Sequence, residues 1–153
     1  MNILVRLLTI AAAYLLACTT AVTVALLGKA WTTSGMGDPL PSVVDLVIPI
    51  VIVTADVTEL AILPALLLIV LSEVFAWRSI IVYGVLGGAL GLALLYGKHF
   101  YDILTNQEPM VIDREFSVVI AASGIVGGLV YWLVAGRNAG AWRRRQSEPQ
   151  IVR

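Results

Sequence analysis

The chain has 153 residues, 59% of them hydrophobic and only 13% charged, with ten basic and ten acidic side chains that cancel at neutral pH. Soluble domains carry roughly 45–50% apolar and about 25% charged residues, so this composition lies outside that class and offers no basis for nucleic-acid binding. One cysteine, Cys18, excludes an intrachain disulfide and any cysteine cluster for a metal.

Four apolar stretches follow one another, each close to the roughly 20 residues a helix needs to cross about 30 Å of hydrocarbon. The first runs from about Ile3 to Leu27, with Arg6 near its start. Ala13, Ala17, Ala21 and Ala25 recur every four residues along it, a stripe that lets a neighbouring backbone approach. Leu15-Leu16-Ala17-Cys18 loosely resembles a lipoprotein cleavage box, yet the residues after Cys18 stay apolar through Leu27. An uninterrupted span is therefore expected, with Cys18 as a small packing residue. The loop from Gly28 to Ser42 reads as turns, from its glycines and prolines.

The second stretch, about Leu46 to Leu71, contains Asp56 and Glu59, and no basic residue within it answers them. Its charge-free pieces are each too short to cross alone. One continuous helix of about 39 Å is expected instead, tilted or bent. Pro64 removes the hydrogen bond to the Leu60 carbonyl and supplies the bend. Glu73 and Arg78 flank the following turn and are expected to reach the membrane interface.

The third stretch, about Ile80 to Tyr96, has Trp77 and Tyr96 as interfacial anchors and carries Gly84, Gly87, Gly88 and Gly91. A loop from Gly97 to Glu115 follows. Its His99, Asp102 and Asp113 could in principle approach a metal, but one histidine among scattered carboxylates reads as a solvated loop. The fourth stretch, about Phe116 to Ala135, has Gly124 and Gly128 and is expected to pair antiparallel with the third. Residues 1–136 thus form one four-span domain. Residues 137–153 form a basic tail in which Arg143, Arg144 and Arg145 attract anionic lipid headgroups.

Arg6, Arg78 and the arginines of the tail fall on one side of such a bundle. Lys29, Lys98 and Arg114 fall on the other, among Asp38, Asp102, Glu108, Asp113 and Glu115. Cytoplasmic loops are enriched in Lys and Arg, so both termini are expected in the cytoplasm. The fold class is all-α, an integral four-helix membrane bundle.

Asp56 and Glu59 carry the functional question. Three residues apart, they share one helix face, near Thr54 and Thr58. A carboxylate near the bilayer centre costs at least about 3 kcal/mol, so such groups mark a buried pair, a partner's docking site or a pathway. In a structural reading at least one acid is neutral and bonds to hydroxyls of the first helix: Thr9, Tyr14, Thr20 or Thr23. In a partner reading the pair meets a Lys or Arg of another membrane subunit. In a transport reading it cycles protons or a cation, and the chain is a small proton-linked transporter or channel. No signature surrounds any serine, and His99 stands alone, so no enzymatic activity, cofactor or metal is expected. The leading expectation is a non-enzymatic component that assembles with itself or with a membrane partner.

Two further stretches carry a resemblance. One is Leu63-Pro64-Ala65-Leu66, continued by Ser72-Glu73-Val74-Phe75-Ala76-Trp77-Arg78-Ser79 and Tyr83-Gly84. The other is Gly124-Ile125-Val126-Gly127-Gly128-Leu129-Val130-Tyr131-Trp132 with Leu133 to Gly140. Both resemble small four-span inner-membrane proteins of proteobacteria without assigned function. The resemblance implies a multi-pass protein of the bacterial inner membrane. It lends no activity and no site, and Asp56 and Glu59 lie outside it.

Overall fold

The computed structural model describes residues 3–33, 42–75, 77, 79–108 and 111–138. Their regular structure is entirely helical: α1 (Ile3–Thr33), α2 (Val43–Phe75), α3 (Ile80–Leu104), α4 (Arg114–Val134) and a short 3-10 turn at Gly136–Asn138. All four α-helices are long and apolar enough to cross a membrane. Arg78, Arg143, Arg144 and Arg145 lie outside the described residues.

α1 runs on to Thr33, through residues 28–33 that read as turns, and α2 and α4 start ahead of their apolar stretches, at local caps. Ser42 and Asp45 close a reciprocal box at the start of α2. The Ser42 hydroxyl donates to Asp45 Oδ2 at 2.6 Å and accepts from the Asp45 amide at 3.3 Å, while the Ser42 amide donates to Oδ2 at 3.3 Å. Asp113 caps α4 by accepting from the Phe116 amide at 2.6 Å. The third helix continues eight residues beyond Tyr96, so Gly97 to Leu104 are helical and not part of a loop. It stops at Asn106, whose φ of 53° is left-handed. The Gln107 amide then reaches the Asp102 carbonyl at 2.9 Å, and the Asn106 amide reaches Ile103 at 3.3 Å. Asn106→Val is expected to cost about 1–2 kcal/mol in a thermal melt, while Asn106→Gly leaves the melt unchanged or raised.

The second segment is one continuous helix of 33 residues, through both Pro49 and Pro64.

Laterally, α4 packs against both α1 and α3, and α2 leans on α1 while touching α3 little. The pairing of α3 with α4 is made by glycine. A Cβ on Gly87 would overlap the carbonyl oxygen of Gly124 and lie 3.0 Å from the Gly128 Cα. Gly91 faces the Ile120 carbonyl and Gly124, and Gly84 and Gly88 accept the Ile125 side chain. The Gly127–Gly128 pair turns α4 into a two-sided wedge. Gly128 faces α3, while Gly127 lies on the alanine stripe of α1, where a Cβ would sit 3.0 Å from the Ala17 carbonyl and 3.1 Å from the Ala21 Cβ. Ala13 is fully buried, and Ala25 lies along the open cleft described below.

One end of the bundle, where α1 and α3 begin and α2 and α4 stop, is the tight one; we call it the near end. Ala13, Tyr83, Tyr131 and Ala135 form the core there, with the two tyrosine rings stacked at 5.8 Å. The turn between α2 and α3 is fastened at this end. The Trp77 amide donates to the Ser72 carbonyl at 3.0 Å, and the Tyr83 hydroxyl to the Trp77 carbonyl at 3.2 Å.

Candidate functional site

Asp56 and Glu59 sit near the midpoint of α2, and both are exposed on the side of the helix turned away from the bundle. Neither carboxylate has a hydrogen-bond or ion-pair partner among the described residues. The helix divides the polar cluster that the sequence brings together. Thr54 and Thr58 turn inward, and their hydroxyl oxygens are enclosed without a hydrogen-bond partner among the described residues. Asp56 and Glu59 turn outward.

The hydroxyls of α1 do not serve the acids. Thr9, Thr20 and Thr23 each donate to a carbonyl four residues back, those of Val5, Leu16 and Thr19, at 2.7–2.8 Å. This is the usual local bond of a helical threonine. The Tyr14 hydroxyl crosses to α2, but to the Thr58 carbonyl at 2.8 Å. Cys18 is buried beside Tyr14 and Thr58. The bonds expected between neutral acids and the first helix are therefore absent among the described residues. A 100° step per residue places Glu59 off the contact line that Thr54 and Thr58 occupy.

A second polar constellation closes the near end. Arg6 of α1 grips Glu73 of α2, with Nε at 3.1 Å from Oε1 and Nη2 on the same oxygen. Nη2 also donates to the Ala135 carbonyl at 3.1 Å, at the end of α4. One guanidinium thus ties three helices, and both side chains are largely enclosed, 16% and 18% exposed. Glu73 was expected to reach the interface beside Arg78. It turns across the bundle because antiparallel α1 and α2 bring Arg6 to its level, 67 residues away in sequence.

At the far end, the extra turns of α3 make Lys98 and Asp102 an i,i+4 pair, with Nζ at 3.0 and 3.3 Å from the two carboxylate oxygens. Asp102 is buried and Lys98 exposed. Lys29 lies over the Phe116 ring at 5.5 Å. Asp102 is held by Lys98 and Asp113 caps α4. Among the described residues no three His, Cys, Asp or Glu side chains gather to hold a metal.

Between α2 and α3 runs a cleft of about 460 Å³, floored by α1 and α4. It reaches from Ser72, Tyr83 and Tyr131 at the near end to Lys29, Lys98, His99 and Asp102 at the far end. Asp56 and Glu59 do not line it.

No family model matches the chain, nor does any of the curated proteins or solved structures compared with it.

Proposed function

We propose that the chain is a non-enzymatic assembly component of a membrane, docking through the outer face of α2 to a transmembrane helix of a partner subunit that presents Lys or Arg. The reading includes four spans with both termini in the cytoplasm, following the distribution of Lys and Arg. The bacterial inner membrane is the location implied by the resemblance of its second half to proteobacterial four-span proteins.

The single observation that carries it is the outward aim of Asp56 and Glu59 without a partner among the described residues. Each would face hydrocarbon at about 2.5–3.5 kcal/mol on the mildest scale, a cost that a partner's cation or hydrogen bonds would offset. Among the described residues, Arg6 is engaged by Glu73 and Lys98 by Asp102. A base from a different subunit therefore suits the pair better than a second copy. Transport through the bundle is the weaker alternative, because the acids turn away from the cleft that a route would follow.

The test is purification in mild detergent of the wild-type protein and of the Asp56→Asn, Glu59→Gln double variant. The wild type is expected to carry a stoichiometric membrane partner, and the variant to lose it while keeping its helical content and melting temperature. A wild type that purifies alone, or a partner indifferent to the double change, overturns the proposal. Proton flux in liposomes that depends on the two acids would establish transport instead.

A further inference from the structure

The cleft between α2 and α3 is unfilled by side chains, although it is bordered by α1 and α4 as well. Its walls are small or aliphatic: Ala61, Ala65 and Leu68 on one side, Gly91, Leu90 and Leu94 on the other. From Tyr83 to Lys98 is 15 residues of α3, or about 22 Å, long enough for the acyl chain of one leaflet, which spans about half of the 30 Å of hydrocarbon.

The two ends differ in chemistry. The near end finishes among Ser72, Tyr83 and Tyr131, beneath the arginine clasp. The far mouth carries Lys29, Lys98 and His99, together with Asp102, which anchors Lys98. Lys98 keeps 60% of its side chain exposed while tethered, so its ammonium is held at the rim rather than drawn inside. A long apolar slot with ammonium groups at one mouth is complementary to an amphiphile with a tail inside and an anionic head outside.

We propose that the cleft is a binding site for one acyl chain of an anionic phospholipid, whose phosphate lies at the far end against Lys98 and Lys29. The inference rests on the reading that the helices cross a bilayer, but not on the docking role of Asp56 and Glu59, which occupy another face of α2. In that setting a lipid tail is the apolar ligand at hand to fill such a slot. Basic groups at its mouth select among headgroups, at about fivefold per lysine.

The experiment is native mass spectrometry of the detergent-extracted full chain titrated with phosphatidylglycerol or phosphatidylcholine of identical tails. One phosphatidylglycerol is expected to remain per chain at activation energies that strip phosphatidylcholine. Lys98→Gln and Lys29→Gln should each lower the ratio of the two about fivefold. Asp102→Asn, which keeps the side-chain shape and frees Lys98, should raise it. Ala61→Phe should reduce retention of both lipids by filling the slot, with helical content unchanged. Equal retention of the two lipids by the wild type, or a ratio indifferent to the charge variants, overturns the proposal. So does preferential retention of oleate over phosphatidylglycerol. Asp56→Asn, Glu59→Gln should leave the ratio unchanged, which separates this site from the docking face. Release of the chain from membranes by alkaline carbonate without detergent would instead remove the membrane reading itself.

Discussion

Gly128→Ala is expected to force α3 and α4 apart and to cost about 2–3 kcal/mol, the upper part of the range of overpacking in a close-packed interior. The added methyl would overlap the Tyr83 carbonyl oxygen and lie 3.0 Å from its carbon and 3.3 Å from the Gly87 Cα. All three are backbone atoms of α3, so no rotamer change relieves the clash and the helix itself must move. Without a hydrophobic drive between helices in lipid, this close approach is the main source of their association. Gly97→Ala is the internal control. It lies in α3, the facing helix, with nothing within 4 Å of the added methyl, and should raise stability by up to about 1 kcal/mol. Melting in detergent followed by circular dichroism distinguishes the two. Equal effects would mean that the glycines act through helix propensity alone, and that the α3–α4 contact is not what holds the pair together.

Glu73→Ala is expected to cost about 3 kcal/mol, the lower end for breaking an enclosed ion pair, because among the described residues it leaves Arg6 with only the Ala135 carbonyl. A guanidinium cannot shed its charge, so it must pull away from the bundle toward water. The α1–α2 contact at the near end then loosens with it. The double replacement Arg6→Leu, Glu73→Leu should recover most of the loss, since two apolar residues remove both desolvated charges together. Denaturation of the two single variants and the double variant forms a complete cycle. Additive losses would show that Arg6 and Glu73 act independently, and would remove the clasp from the account of stability.

Much of this protein is legible from spacing alone. The four apolar segments, the alanine stripe of α1 and the glycines of α3 and α4 each have a helical period, and the pairing of α3 with α4 follows from matching small residues. The lengths of the helices are less legible. Gly97 to Leu104 carries lysine, histidine and aspartate, which in a hydropathy reading end a span. Yet polar residues do not end a helix, and Asn106 does. Asp56 and Glu59 could be recognised as costly, but which way they face could not.

What the sequence by itself determined is therefore local and periodic: where apolar helices run, which faces are small, and that two acids stand where acids are expensive. The tertiary structure decided the rest. Rotation of α2 about its axis sent Thr54 and Thr58 inward and Asp56 and Glu59 outward, and that rotation depends on packing against α1. Antiparallel alignment joined Arg6 to Glu73 across 67 residues. The position of α4 between α1 and α3 left α2 with little hold on α3, and so opened the cleft. Each of these is a relation between helices, and in a chain built from nearly interchangeable Leu, Val, Ile and Ala the composition of one helix carries little record of which neighbour it meets.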